Sequence, residues 1–214
     1  MRLNVSTFIF DLDGTLIDSI EGITKSVNFT LKEYKHPPVG KEYVSTIVNK
    51  GDVYLLASAL RTQDKVMIEA AIKTFRDYYF NNCYAVLYEG VSKMLKTLFE
   101  LQKKMAVISN KPYLIAERQL QLTGLIKYIN ILKADDGNIK LKPHPDSIEQ
   151  ILKETGSNKN ETLIIGDSCV DIIAGKTAGV LTCGVTYGNT NRETLMKAFP
   201  DFLIDDIRQL VKMF

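Results

Sequence analysis

An α/β chain is predicted, built on a Rossmann-like, doubly wound parallel sheet with an inserted α-helical domain. Three observations predict it. Short apolar runs alternate with amphipathic helical patterns from residue 90 onward, as a parallel sheet covered on both faces requires. The stretch 16–88 breaks that alternation and reads as helices without a convincing strand. Acidic, hydroxyl and basic residues recur just past the carboxyl ends of the apolar runs, the edge at which open α/β sheets bind ligands.

The strand candidates are residues 7–10, 105–108, 129–132, 162–165 and 181–185, with a shorter run at 202–204. Each is apolar with little alternation, as strands buried on both faces are. Val91, Met94, Leu95, Leu98 and Leu101 make a helical face between them. Pro112 suits a helix start, and Gly124, Gly156 and Gly179 stand where helices should stop. Within the insertion, Ile20, Ile23, Val27, Leu31 and Tyr34 mark one amphipathic helix and Met67, Ala71, Phe75 and Tyr78 another. His36-Pro37-Pro38 is a turn, and shorter helices are expected at 41–48 and 53–60. The expected division is a catalytic core of 1–15 and 89–214 and a helical domain of 16–88. An insertion directly after the first strand is placed to act as a lid over a ligand.

Composition narrows the class. The 214 residues hold 27 Lys+Arg against 25 Asp+Glu, a net charge of +2, with 45% hydrophobic residues. That is core enough for a folded chain and excludes disorder. The balance argues against a dedicated nucleic-acid binder. Asp11 cuts the N-terminal apolar run too short for a signal peptide, and no run approaches the ~20 residues of a membrane span. Cys83, Cys169 and Cys183 form no CxxC or zinc pattern and read as reduced, mostly buried thiols. A cytoplasmic protein is expected, monomeric or homodimeric, with neither membrane nor nucleic acid as partner.

Four places carry chemistry. The first strand runs into Asp11-Leu12-Asp13-Gly14-Thr15. An Asx-type turn with Gly14 at positive φ accounts for one Asp and the glycine but leaves the second carboxylate unexplained. The second strand ends in Ser109-Asn110-Lys111-Pro112. The ordinary reading is a helix N-cap; a phosphate site at a helix start is compatible with it. Lys142 lies in Lys142-Pro143-His144-Pro145, where the prolines stiffen the loop; Lys140 is a competitor. The fourth strand ends in Gly166-Asp167-Ser168 with Asp171 beyond, and helix-dipole placement explains Asp171 better than Asp167. Together these groups offer hard oxygen ligands for Mg²⁺ and positive charge and donors for a phosphoryl group.

In these motifs, their order and their spacing, the chain resembles the haloacid dehalogenase (HAD) superfamily, in its phosphoglycolate phosphatase-like branch. The helical insertion resembles that family's C1 cap. The resemblance implies that Asp11 attacks phosphorus and that Asp13 protonates the leaving alcohol and then deprotonates water. It implies Mg²⁺ held by Asp11, the Asp13 carbonyl, Asp167 and Asp171, the last directly or through water. Ser109, Asn110, Lys142 and Thr15 would serve the phosphoryl group, Lys142 also restraining Asp11 and Thr15 supporting Asp13. Asp13 separates phosphate-ester chemistry from halide removal, which dispenses with this second Asp. Residues 48–53 resemble the cap loop, which often has two glycines; only Gly51 stands here. Lys50 is a candidate contact for a substrate carboxylate, against its ordinary reading as a solvated lysine. Tyr78, Tyr79 and Phe80 are expected to pack the cap or hinge, and His36 and His144 to be loop residues outside the mechanism.

The implied activity is a Mg²⁺-dependent phosphatase for a small phosphomonoester, 2-phosphoglycolate first. Inorganic pyrophosphate or a nucleotide is an alternative substrate. A sugar-phosphate mutase is disfavoured by Thr15, where such enzymes usually have Val. A phospho-aspartate signalling module is a different class, about half this length and without the insertion.

Overall fold

The computed structural model describes residues 4–48 and 51–213. Two compact units emerge: Met1–Asp18 with Leu87–Phe214, and Ser19–Val86. Among the described residues no helix is long and apolar enough to cross a membrane.

The first unit is a six-stranded, wholly parallel sheet. Its strands are β1 (Thr7–Asp11), β4 (Lys104–Pro112), β5 (Ile131–Asp135), β6 (Thr162–Gly166), β7 (Leu181–Val185) and β8 (Phe202–Ile204), in the spatial order β5-β4-β1-β6-β7-β8. The chain leaves β1 on one side toward β4 and β5, then returns to β6 on the other. The strand order therefore reverses around β1, which places a binding crevice at its carboxyl end. β1 and β6 are buried at every residue, which is why apolar runs reveal them.

Helices α5 (Val91–Glu100), α6 (Tyr113–Leu122), α7 (Asp146–Thr155), α8 (Cys169–Ala178) and the short α9 (Arg192–Met196) complete the unit. Ile148, Ile151 and Leu152 of α7 and Ala174 and Ala178 of α8 close over Ile9, Ile108 and Ile164 in one buried cluster. Each fully buried isoleucine among them contributes ~1.5–3 kcal/mol. Gly156 and Gly179 end α7 and α8 in the left-handed conformation, as expected of helix-stopping glycines.

The second unit is helical: α1 (Ile20–Glu33), α2 (Lys41–Ile47), α3 (Asp52–Leu60) and α4 (Lys65–Asn81). The amide of Asn28 spans to both backbone groups of Val39, at 2.8 and 3.0 Å, and pins the turn after Pro37-Pro38. Asp64 caps α4 through the amides of Val66 and Met67. Tyr78 stacks on Phe29 at 4.0 Å between ring centres, and Tyr79 is buried beside Phe75.

Three expectations are corrected. Residues 16–88 do contain strands: β2 (Ile17–Asp18) and β3 (Val86–Leu87) pair in a two-stranded sheet, and two residues are too few to register as a pattern. The third strand lies at Ile131–Asp135, not 129–132; it is an edge strand whose Lys133 and Asp135 disguise it. The second extends through Pro112, so Ser109 and Asn110 are strand residues and no side chain caps α6.

Helix α8 packs tightly on the sheet at Gly175. A Cβ there would sit 2.4 Å from Cγ2 of Ile164 and 2.7 Å from Cγ2 of Thr182, both stiff β-branched groups. Gly175→Val is expected to lower the unfolding free energy by about 2 kcal/mol or more, measured by urea denaturation. Unchanged stability would contradict the close packing.

Candidate active site

The loop after β1 folds back on itself at once. The amides of Leu16 and Ile17 both donate to the Leu12 carbonyl, at 3.0 Å, and Gly14 donates to the Ile17 carbonyl. Gly14 takes φ +90°, and a Cβ on it would lie 2.2 Å from Oδ2 of Asp167. The turn reading of this glycine holds, and the same residue lets the β1 loop approach the β6 loop.

At the centre is Lys142, buried in the loop that follows β5. Its Nζ donates to Oδ1 of Asp11 at 2.5 Å and to Oδ1 of Asp171 at 2.6 Å. Asp11 ends β1, and Asp171 is the third residue of α8. The other oxygen of Asp171 accepts from the amide and hydroxyl of Ser168, at 3.1 and 2.6 Å. Asp171 is thus a capping-box residue as well as an ion-pair partner. Asp167, just past β6, accepts from the amide of Asn189 at 2.6 Å. A Cβ on Gly188 would meet both Asp167 and the carbonyl of Gly14 at 2.3 Å, so that glycine too is part of the interlock.

Carboxylate oxygens of Asp11, Asp167 and Asp171 come within 4.8 Å of one another, all three residues buried. Burial pushes Asp11 from 3.8 up to about 7; Lys142 opposes the rise, and the charges of Asp171 and Asp13 reinforce it. Burial also drives Asp167 well above the usual carboxylate range, reinforced by Asp11 and Asp171 and opposed by the Asn189 amide and Lys142. Burial works against the Lys142 ammonium, but Asp11 and Asp171 outweigh it and hold its pKa above the ordinary lysine value. Four carboxylates (Asp11, Asp13, Asp167, Asp171) face two buried ammoniums, those of Lys142 and Lys111. Fully ionised, the group carries an excess of two negative charges, the complement of a divalent cation held by oxygen ligands.

Other predicted residues land as follows. Thr15 is fully buried and donates to Oδ2 of Asp11 at 3.4 Å, so it supports Asp11 rather than Asp13. Asn110 donates to the Lys142 carbonyl at 2.9 Å and accepts from the Lys142 amide at 2.8 Å. Its amide is thereby committed to placing the lysine backbone, a role the N-cap and phosphate readings both missed. Ser109 is buried at the same edge, its hydroxyl accepting from the Lys111 amide at 3.2 Å. Lys140 is exposed and stands apart from the cluster's buried lysine. Lys50 lies outside the described residues.

The sequence reading passed over Lys111, Gln119, Gly188 and Asn189. The Lys111 ammonium pairs with Asp13 and donates to Oε1 of Gln119 at 2.5 Å. Gln119 was detectable: it is the one polar residue on the buried face of α6, among Ile115, Ala116 and Leu120. Tyr88 and Tyr187 also border the acidic group, ring centres 4.8 Å apart. Burial, aided by the neighbouring carboxylates, raises both phenols so that they remain donors, and Tyr187 donates to the Thr15 carbonyl at 2.8 Å.

A family model described as haloacid dehalogenase-like hydrolase matches residues 8–185. A phosphoglycolate phosphatase of Haemophilus influenzae is 33% identical, covering 95% of this chain and 96% of its own. Pyrophosphatase PpaX of Halalkalibacterium halodurans is 29% identical, covering 98% and 96%. Among solved structures, a predicted phosphoglycolate phosphatase from Haemophilus somnus superposes with a TM-score of 0.90 at 26% identity, covering 98% of this chain and 97% of that one.

A raised carboxyl pKa destabilises the fold as pH rises, because the unfolded chain releases its proton first. Asp167→Asn should therefore raise the Tm of chelator-treated protein at pH 7.5 by about 3 °C or more. The gain should shrink toward the usual carboxylate value of 3.8. Added Mg²⁺ should raise the Tm of the parent and leave the variant nearly unmoved. A variant that melts lower at pH 7.5 without metal would contradict the cost of burying an ionised Asp167 beside the other carboxylates.

Proposed function

We propose that this chain, which belongs to the haloacid dehalogenase-like hydrolase family, hydrolyses a small phosphomonoester with the help of Mg²⁺, 2-phosphoglycolate being the first candidate. The family assignment makes it a hydrolase acting on phosphate esters. What supports the reading within the chain is one convergence: Asp11, Asp167 and Asp171 meet Lys142 at the switch point of the sheet.

The donor set fits a hard divalent cation. Asp11 and Asp167 would hold it, joined by the Asp13 carbonyl, with Asp171 behind them because both its oxygens already accept from Lys142 and Ser168. When bound, Mg²⁺ supplies charge neutralisation between the nucleophile and the phosphoryl oxygens. Asp11 attacks phosphorus, forming an aspartyl-phosphate as the ester oxygen departs. Lys142 favours the ionised, nucleophilic form of Asp11 and stands ready for a phosphoryl oxygen, with the Ser109 hydroxyl at the same edge. Asp13 gives its proton to the leaving alkoxide. It then takes a proton from the water that attacks the aspartyl-phosphate, and Asp11 is released with inorganic phosphate. Thr15 and Asn110 act by placing Asp11 and Lys142.

The helical unit Ser19–Val86 follows β1, which ends in Asp11, and the loop that carries Asp13. We assign it the cap's part, selection of the substrate, with Lys50 as the candidate contact for a carboxylate. The curated relatives named for phosphoglycolate and for pyrophosphate make those two compounds the decisive pair.

Phosphate release should depend on Mg²⁺ across a panel of 2-phosphoglycolate, pyrophosphate, nucleoside monophosphates and p-nitrophenyl phosphate. No release from any of them would overturn the assignment. Asp13→Asn should lower kcat for alkyl esters by about 10²-fold or more while keeping the Mg²⁺-induced rise in Tm. Lys50→Ala should raise KM for 2-phosphoglycolate and leave it unchanged for p-nitrophenyl phosphate; an unchanged KM for both would remove Lys50 from the site.

A further inference from the structure

Lys111 is a second buried lysine beside the cluster, and no step above uses it. It sits on β4, two residues past Ser109, and is 8% exposed. Its ammonium pairs with the Asp13 carboxylate and donates to Gln119. Gln119, on α6, is itself wholly buried on an otherwise apolar helix face.

Burying a lysine and a glutamine is expensive unless their polar atoms are engaged. An ion pair taken out of water adds little net stability even when well formed. Stability is therefore a poor account of a chain of contacts running from α6 through Gln119 and Lys111 to Asp13. The lysine of the motif cannot substitute, since Lys142 is already engaged by Asp11 and Asp171. Each buried ammonium thus serves its own carboxylates.

We propose that Lys111, braced by Gln119, is a positioning residue that fixes the Asp13 carboxylate where it exchanges its proton with the leaving group and with water. The inference rests on the acid–base reading of Asp13. A group that acts on the leaving oxygen matters in proportion to the leaving group's need for a proton. The p-nitrophenolate ion departs readily without one; phenolate, of nearly the same shape, does so far less readily. The ratio kcat/KM reports events up to formation of the aspartyl-phosphate, so comparing the two esters isolates this step.

Lys111→Met is expected to lower kcat/KM for phenyl phosphate by about 10²-fold and for p-nitrophenyl phosphate by no more than about 5-fold, with KM little changed. Gln119→Leu should show the same split at smaller amplitude, and it carries the test if thermal unfolding shows that Lys111→Met does not fold. Equal losses with both esters would overturn the proposal, as would a KM increase with kcat retained, which would make Lys111 a substrate contact. Asp13→Asn in the same assay separates the two levels. If Asp13→Asn shows the split and Lys111→Met does not, only the role of Lys111 falls. If Asp13→Asn shows no split, the acid–base reading itself falls.

Discussion

Negative charge crowded at one edge of a buried sheet is the constraint on which the rest of this structure depends. Asp11, Asp167 and Asp171 share a space of a few ångströms, and Lys142 supplies a compensating cation from within the chain. Much of the local architecture follows from accommodating that arrangement. The loop that delivers Lys142 is tied to β4 by Asn110. The loops after β1 and β7 carry glycines where any side chain would strike Asp167. Burial, reinforced by the neighbouring carboxylates, displaces the Asp11 and Asp167 carboxyl groups upward in pKa.

Stability and chemistry are drawn from different layers. The aliphatic cluster of Ile9, Ile108, Ile164 and the inner faces of α7 and α8 lies beneath the site and supports a polar edge that would not hold together on its own. Strand register sets Asp11 beside Ile108 of β4 and Phe10 beside Ile165 of β6, so groups more than 150 residues apart in sequence meet without any long excursion of the chain. The helix α8 contributes twice: its first turn places Asp171, and its small residues let it sit close on the sheet.

Legibility in the sequence followed burial. β1, β6 and β7 were readable because strands buried on both faces leave uninterrupted apolar runs. The edge strand β5 and the polar end of β4 were blurred, since their polar residues answer to solvent or to the site rather than to a core. Asp11, Asp13 and Asp167 could be singled out because carboxylates just past a buried strand have few structural excuses; Lys142 and Asp171, each with an ordinary local reading, stood out only together with them. The partners of those residues could not. Thr15 turned out to serve Asp11, Asn110 to serve a backbone 32 residues away, and Asn189 to meet Asp167 across 22 residues. Such contacts arise from the packing of loops against one another, which no local periodicity encodes. Gln119 left a trace, a single polar residue on a helix's apolar face, and Lys111 left none beyond its nearness to Ser109.

The pair of hydrogen bonds between Asn110 and Lys142 reproduces with a side chain what a strand pair does with two backbones. It anchors the far end of an otherwise irregular loop, so the position of the lysine does not depend on the length of chain between β5 and that anchor. Insertions or deletions within residues 136–139 can then accumulate without moving the ammonium. This largely exposed segment is accordingly where a tag, a reporter or an evolutionary elaboration can be added at least expense to the site.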